Sequence, residues 1–304
     1  MLTWKKLTIG LSLESLVGLT FREAIELYLK LSEQFSLSAV EISFEKDIRK
    51  PSLWPWEIGR DITDFLENFE IVGAHLPFVY LNPICPNPKI RNESINQLKK
   101  AIEKASELNM DYCVMHARGF SFGLTYNKQL EEWRKIIEDL TNYAEENSIL
   151  LTVENADSLH DLSDLVRIVR EINSKSLKIT LDLGHAHIRK VAPLSVFPIK
   201  DLILRAMDAI FPVFLPIRKN MPYEAYGSLK NFIRFENDLI GCVHVHDYNG
   251  KKDHLILGEG KIDFSFLKDL KKYFKGPYIF EIELKNYYDD FKRSYEKFKE
   301  VMEI

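Results

Sequence analysis

Eight short apolar runs alternate with helical stretches along this chain of 304 residues, and the alternation predicts an α/β protein. Eight parallel strands, each followed by a helix, close into a (β/α)8 TIM barrel of typically about 250 residues. The chain is long enough for one such barrel with an insertion, so we expect residues 1–304 to form a single domain. The gap between the sixth and seventh runs is about twice the usual length, which predicts a long insertion after strand 6 at residues 189–238.

The predicted strands are short runs of β-branched and other apolar residues. In chain order they are LTIGLSL (from Leu7), SAVEISFE (Ser38), EIVGAHLP (Glu70), DYCVMHA (Asp111), ILLTVENA (Ile149), LKITLDLGH (Leu177), LIGCVHVHD (Leu239) and GPYIFEIEL (Gly276). Most of the stretches between them carry apolar residues three or four positions apart, the spacing of one buried helix face. Two such faces are Ile95, Leu98, Ile102, Ala105 and Leu108, and Leu130, Trp133, Ile137, Leu140 and Ala144.

The composition excludes several classes of protein. Hydrophobic residues make up 46% of the chain, and its 13 Gly and 12 Pro show no fibrous or disordered bias. The net charge is −4 without a long run of either sign, so no polyanion-binding surface is indicated. No segment reaches the roughly 20 apolar residues that span a bilayer, and we expect no membrane partner.

Two features predict a cytoplasmic location. Glu14 interrupts the apolar stretch LTIGLSLESLVGL, and no small-residue cleavage site follows it, so we expect no signal peptide. The three cysteines, Cys85, Cys113 and Cys242, are widely scattered and lack metal-ligand spacing. They fit free thiols in a reducing compartment.

Polar residues of the predicted strands fall almost entirely at the carboxyl ends of those strands. They are His75, His116, Glu154, Asp182 with His185, His244 with His246, and Glu281 with Glu283. In a barrel these ends meet at one face, where active sites are built. So many carboxylates could not all stay ionised without a cation. Together with the imidazoles they form a ligand set for Zn²⁺, Mn²⁺ or a related divalent metal, and we expect one ion, with more possible.

The strand-end residues could also have a structural role instead of binding a metal. Glu154 and Asp182 interrupt apolar runs and would be unpaired buried charges without a partner. A lone histidine at a strand end is more often a core or loop residue, so ligation by His75 and His116 depends on their convergence.

Four further residues lie near these strand ends. We expect His160 on the surface or in a capping region, and His187 to pack or to orient its loop. Glu41 and Glu45 could line the pocket or pair with a basic neighbour, and the sequence leaves both interpretations open.

Several motifs resemble the xylose-isomerase-like barrel superfamily, also called AP endonuclease family 2, which includes endonuclease IV and many sugar isomerases and epimerases. They are GAHLPFVYLNP, CVMHARG, TVENAD, LDLGHAH and HVHDYNGKKDHLILGEGKIDF. The resemblance runs from about Ile71 to Glu283, and its most specific part is LGEG preceded by a histidine.

The resemblance implies roles for particular residues. In the epimerases, one divalent metal is held by residues matching Glu154, Asp182, His244 and Glu281; the two glutamates also move protons, and the residue matching His185 contacts substrate. In endonuclease IV, residues matching His75, His116, His185 and His254 extend this site to a three-zinc cluster. Lys252 stands where that cluster has an aspartate. An ammonium group repels a cation, which argues against the third metal.

Three functions are compatible with these residues. The first is a metal-dependent isomerase or epimerase of a small sugar or polyol, in which Glu154 and Glu281 remove and return a proton. The alternative is an endonuclease IV-like zinc-dependent phosphodiesterase acting on abasic DNA. It requires a basic groove, to which a net charge of −4 gives little support. A binding barrel without catalysis would not need the acid pair.

The predicted insertion is rich in large apolar residues and contains five prolines, so it is neither a solvated linker nor one helix. It begins beside Asp182 and His185. We expect it to cover the mouth of the site as a lid or to supply a subunit contact in a homo-oligomer; the alternative is that it only pads the outer helices. A lid favours a small substrate, whereas Arg189, Lys190, Arg218 and Lys219 could line the groove of a nuclease.

Overall fold

A computed structural model describes residues 6–45, 50–59, 62–119, 121, 124–188 and 222–304. Its eight strands form a closed parallel barrel in sequential order, with the last strand paired to the first. They are β1 (Thr8–Ser12), β2 (Ala39–Ser43), β3 (Ile71–His75), β4 (Tyr112–Met115), β5 (Leu150–Glu154), β6 (Leu177–Asp182), β7 (Ile240–Val245) and β8 (Pro277–Phe280). This confirms the predicted (β/α)8 TIM barrel.

Helices connect the strands on the outside of the barrel. Within the described ranges they are α1 (Phe21–Phe35), α2 (Thr63–Leu66), α3 (Pro88–Glu107), α4 (Tyr126–Glu146), α5 (Leu162–Ile172), α6 (Leu229–Glu236), α7 (Leu267–Tyr273) and α8 (Tyr287–Met302). The two apolar faces predicted from spacing belong to α3 and α4 and are largely buried. None of the described helices is long and apolar enough to cross a membrane.

Local signals fix where helices begin and end. The Thr20 hydroxyl accepts a hydrogen bond from the Glu23 backbone N–H, and the Glu23 carboxylate accepts one from the Thr20 N–H at 2.9 Å. This capping box satisfies donors that the first turn of α1 leaves free. Helix α1 then ends at Ser36, whose backbone has the left-handed conformation with φ of 54°.

The core has two parts. A large cluster packs the outer faces of the strands against the helices, and a small cluster fills the barrel interior. The small cluster consists of Ala39, Ile71, Tyr112, Val114, Leu150, Cys242 and Ile279. Side chains of a strand alternate between its two faces, so the next inward-facing positions lie two residues further along. Those positions include Glu41, His116, His244 and Glu281. Polar groups therefore lie directly above the small apolar cluster.

The connection from β6 to β7 contains the predicted insertion. Residues 189–221 lie outside the described residues, and with them the predicted lid and the residues Arg189, Lys190, Arg218 and Lys219. The rest of the connection packs on the barrel, where the Pro222 carbonyl accepts a hydrogen bond from the Leu162 N–H at 3.0 Å. The three cysteines are free thiols, and Cys113 and Cys242 are buried.

Candidate metal and catalytic site

The carboxyl face of the barrel gathers the predicted acids and imidazoles into one pocket. We call Glu154, Asp182, His244 and Glu281 the central group. Strands β5 and β6 end at Glu154 and Asp182, His244 is the fifth residue of β7, and Glu281 follows β8 directly. Glu154, Asp182 and His244 are fully buried, and Glu281 is 9% exposed.

The atoms of the central group converge on one imidazole nitrogen. Glu281 Oε2 lies 3.1 Å and Glu154 Oε2 lies 3.3 Å from His244 Nδ1, and Asp182 Oδ2 lies 3.9 Å from it. Potential ligand atoms of Glu154, Asp182 and His244 all lie within 4.8 Å of one another. His244 Nδ1 is buried, yet it makes no hydrogen bond. An orphaned buried nitrogen surrounded by carboxylate oxygens fits a divalent cation, because the cation would satisfy all of these groups together.

A second group consists of His75, His116 and Glu154, whose potential ligand atoms also lie within 4.8 Å of one another. His116 Nε2 lies 3.0 Å and His75 Nε2 lies 3.8 Å from Glu154 Oε2. On its other side His116 Nδ1 lies 3.1 Å from Asp157 Oδ2. Both histidines therefore line the pocket. The strand-end pattern does not point to Asp157, because this residue lies three positions beyond the end of β5, at the start of a 3-10 helix.

A third group consists of His185, His246 and His254, whose potential ligand atoms also lie within 4.8 Å of one another. His185 Nδ1 lies 2.7 Å from Glu154 Oε1, and the His185 backbone N–H donates to Asp182 Oδ1 at 2.6 Å. The rings of His246 and His254 stack with centroids 4.3 Å apart. The sequence places His246 among the converging strand-end residues but indicates no individual role for it. Its position two residues after His244 was the signal that it faces the same way.

Residues 29–302 match the profile of the family described as xylose isomerase-like TIM barrel. The chain belongs to this family. It is also similar to an uncharacterised protein of Methanocaldococcus jannaschii, with 30% identity over 202 residues. That match covers 65% of this chain and 65% of the relative, so it spans less than two thirds of either protein.

Solved structures of sugar epimerases share the fold. A D-tagatose 3-epimerase-like protein is 25% identical and has a TM-score of 0.69. The match covers 98% of this chain and 97% of that protein. A D-allulose 3-epimerase from Methylomonas sp., solved in complex with D-allulose, is 15% identical with a TM-score of 0.67. That match covers 98% of this chain and 97% of the D-allulose 3-epimerase.

Two glycines of this xylose isomerase-like barrel make room for side chains of the site. A Cβ on Gly184 would lie 1.8 Å from His246 Cε1, so only glycine leaves space for the His246 ring in the LDLGH motif. A Cβ on Gly260 would lie 2.0 Å from Asp247 Oδ1. The glycines of the family motifs therefore have a packing role here.

Asp247 holds the loop that carries the LGEG motif. Its carboxylate accepts hydrogen bonds from the backbone N–H groups of Tyr248, Gly258, Gly260 and Ile262, at 2.7 to 3.2 Å. Asp247 is 1% exposed. A buried carboxylate with four such donors is fully compensated, and this anchoring fixes the loop that brings His254 over the pocket.

Lys252 forms an ion pair outside the central group. Its ammonium donates to Glu283 Oε2 at 2.6 Å on a surface where both side chains are about half exposed. The neighbouring acid, Asp253, instead contacts His254, with Oδ1 3.3 Å from Nδ1. The position that differs from the nuclease pattern is thus part of a surface ion pair.

Electrostatics in the site favour the ionised forms of Glu154 and Glu281 and the protonated forms of His116 and His244 in the ion-free protein. Burial raises the pKa of Glu154, but His116 and His185 lower it by more, and it lies well below its ordinary value. Burial likewise raises the pKa of Glu281, and His244 with His254 reverses this.

The pKa values of His244 and His116 shift in the opposite direction, above their ordinary values. Burial lowers the pKa of His244, but the carboxylates of Glu41 and Glu281 raise it well above its ordinary value. For His116, burial lowers the pKa, and Glu154 with Asp157 raises it to about 10. In the ion-free protein the positive charge of these rings compensates the carboxylates, as a bound cation would.

The remaining histidines have structural settings. Of the two settings predicted for His160, the structure excludes the surface: the residue is 7% exposed, precedes α5, and its Nε2 lies 2.6 Å from the Ile188 carbonyl. His187 packs and orients its loop as expected, because its Nδ1 lies 2.7 Å from the Leu183 carbonyl oxygen and its ring stacks on Phe266.

Glu41 and Glu45, which the sequence left open, have different partners. Glu41 Oε2 accepts a hydrogen bond from the Tyr112 hydroxyl at 2.9 Å and lies 3.2 Å from His244 Nε2. Glu45 accepts hydrogen bonds from the Phe78 and Val79 backbone N–H groups and so holds the loop after β3. Only Glu41 contacts the central group.

Proposed function

We propose that this protein is a divalent-metal-dependent isomerase or epimerase of a small sugar or polyol, in which Glu154 and Glu281 move the substrate proton. One observation carries the proposal. Two buried glutamates approach the same unbonded nitrogen, His244 Nδ1, at 3.3 and 3.1 Å, and Asp182 completes the group. Paired carboxylates at a cation site suit proton abstraction beside a carbonyl.

The residues that would hold the ion are Glu154, Asp182, His244 and Glu281. Three carboxylates and one imidazole form an N/O donor set suited to Zn²⁺ or Mn²⁺. When bound, such an ion polarises adjacent oxygens of a sugar and acidifies the C–H bond between them.

The two glutamates have complementary roles in proton transfer. Because the pKa of Glu154 lies well below its ordinary value, this carboxylate is ionised at neutral pH and can accept the proton from the C–H bond. Return of a proton to the opposite face of the same carbon, by way of Glu281, inverts that carbon. Glu281 is ionised in the resting site, so the proton that it passes on comes from His254, whose ring lies 3.7 Å from Glu281 Oε2. Burial lowers the pKa of His254, but Asp253 and Glu281 raise it well above its ordinary value, so the ring carries this proton. The His254 ring is 28% exposed and regains a proton from water, and the proton taken by Glu154 passes to solvent.

The substrate class rests on the comparisons as well as on the site. The similar structures named above include a D-tagatose 3-epimerase-like protein and a D-allulose 3-epimerase with D-allulose bound. A small sugar as the partner and a cytoplasmic location remain part of the proposal. The proposal also includes a homo-oligomer and the binding of one metal ion.

The test is solvent exchange. Protein purified without chelator is analysed for metal and then incubated in D2O with a panel of ketopentoses and ketohexoses and added Zn²⁺ or Mn²⁺. We expect about one equivalent of metal, and metal-dependent deuterium at the carbon next to the carbonyl, followed by NMR. Glu281→Gln should abolish epimer formation. The matched control is Glu283→Gln, whose carboxylate pairs with Lys252 at the surface and should leave the rate unchanged.

Other outcomes would reject the proposal. No exchange with any sugar of the panel, in protein that carries the metal, contradicts the isomerase and epimerase assignment. Three equivalents of zinc together with cleavage of an oligonucleotide at an abasic site would establish the endonuclease IV-like alternative instead.

A further inference from the structure

Glu41 is a fully buried carboxylate beneath the central group, and the proposed reaction gives it no role. Its Oε2 atom contacts His244 and Tyr112, whereas Oε1 makes no hydrogen bond. A buried polar atom without a partner is costly, and a native protein that retains one calls for an explanation. The contact of the other carboxylate oxygen, Oε2, with His244 gives a reason for burying this side chain although Oε1 is left unpaired.

The contact fixes which nitrogen of His244 carries hydrogen. The Glu41 carboxylate accepts a hydrogen bond from Nε2 at 3.2 Å, so Nε2 carries hydrogen. Oxygens of Glu281 and Glu154 lie at similar distances from Nδ1 but form no hydrogen bond with it. In the neutral ring the lone pair then belongs to Nδ1. This is the nitrogen that faces Glu154 and Glu281 without a hydrogen bond. The imidazole is thereby oriented with its ligating atom toward the acids.

Tyr112 in turn holds Glu41 in place across a neighbouring strand. Glu41 on β2 is in register with Gly73 on β3, and Gly73 is in register with Tyr112 on β4. A Cβ on Gly73 would lie 2.2 Å from Tyr112 Cζ, so the ring can cross β3 only because residue 73 is glycine. The hydroxyl then reaches Glu41 Oε2 at 2.9 Å. Three adjacent strands are thus built around this contact.

We infer that Glu41 is a positioning residue, held by Tyr112, that keeps His244 protonated at Nε2 and free at Nδ1 for the cation. Carboxylate partners of this kind orient a ligating imidazole and raise its basicity, and their loss weakens metal binding about 10- to 100-fold. The inference rests on the proposed function only for the identity of the ion, and it requires no particular substrate.

The experiment has two readouts that do not depend on activity. First, the zinc affinity of the full chain is measured by competition with a chelating dye. We expect Glu41→Gln to weaken it by about 10-fold and Glu41→Ala by up to about 100-fold. Tyr112→Phe, which leaves the carboxylate in place, should have a smaller effect. The matched control is Glu45→Gln on the same side of the barrel, which contacts no imidazole in the described residues and should change the affinity less than about twofold.

Second, the protein is labelled with ¹⁵N at histidine, and the ring nitrogens of wild-type His244 are observed in the zinc-loaded state. The resonance is assigned by its loss in His244→Gln. We expect hydrogen on Nε2 and none on Nδ1. Because this measurement uses the wild-type chain, hydrogen on Nδ1 would overturn the inference even if the Glu41 variants do not fold.

The outcomes separate this inference from the proposed function. Hydrogen on Nδ1 with zinc on Nε2, or wild-type affinity in folded Glu41→Gln, overturns the role of Glu41 and leaves the proposed reaction intact. A wild-type chain that binds zinc as inferred but exchanges no sugar proton contradicts only the proposed reaction. A wild-type chain that binds no divalent ion contradicts both.

Discussion

His246 Nε2 lies 2.9 Å and 3.0 Å from the two carboxylate oxygens of Asp182. The other nitrogen of the ring, Nδ1, accepts a hydrogen bond from the His254 backbone N–H at 2.9 Å. Nδ1 is therefore the acceptor and Nε2 the donor. This contact joins the end of β6 to the loop after β7 and fixes the direction of the Asp182 carboxylate.

Asp182→Ala should abolish metal retention and leave the barrel folded, because it removes a proposed ligand without disturbing the small apolar cluster below. Metal content after gel filtration and the far-UV circular dichroism spectrum measure the two effects. Full metal occupancy in this variant would show that Asp182 is not a ligand.

His246→Ala should weaken zinc binding by about 10-fold, because Asp182 loses the donor that orients it. Competition with a chelating dye measures the change. His160→Gln is a suitable control, since His160 is a buried histidine whose ring bonds to the Ile188 carbonyl, away from the ligands. Unchanged affinity in His246→Ala would mean that the loop alone positions Asp182.

Gly184→Ala should destabilise the protein by about 1–3 kcal/mol through overpacking against the His246 ring. The backbone of Gly184 has φ of −69°, which alanine adopts freely, so the effect isolates the steric contact. The free energy of unfolding in urea measures it. In the double variant Gly184→Ala/His246→Ala the clash is absent, and the cost of the alanine at 184 should largely disappear. An undiminished cost there would assign the effect to another neighbour.

Zinc binding near pH 7 should release protons. Carboxylates hold the pKa of His244 well above its ordinary value in the ion-free protein, so the ring is protonated until the pH passes that raised value. A cation at Nδ1 displaces this proton, and apparent affinity should therefore rise with pH below the raised pKa and level off above it. Calorimetry in two buffers of different ionisation enthalpy counts the protons. Binding without proton release would contradict ligation by His244.

Asp247→Ala should destabilise the LGEG loop, because four backbone N–H groups lose their acceptor. We expect a loss of about 3 kcal/mol or more in the free energy of unfolding, or local opening seen as faster amide exchange at Gly258 and Gly260. Glu259→Ala in the same loop removes an exposed ion pair with Arg293 and should cost less than about 1 kcal/mol. Equal effects of the two variants would refute the anchoring role.

The sequence by itself determined the barrel. Strand and helix periodicities are local, and the eight apolar runs reappear as eight strands in the same order. It also indicated which strand ends would meet, since the carboxyl ends of all strands in a parallel barrel share one face. Glu154, Asp182, His244 and Glu281 belong to the strand-end set predicted on that basis, the family resemblance singles out these four, and they lie together in the structure.

Only the tertiary structure decided the partners of individual side chains. Glu41 and Glu45 lie on the same side of the barrel and look alike in sequence, yet one meets an imidazole and the other holds a loop. The difference arises from strands 2, 4 and 7, which are distant along the chain, and from the space that Gly73 leaves for Tyr112. His246 gained its role in the same way, from the space at Gly184. Such contacts depend on three-dimensional packing across strands, which no local pattern in the chain records.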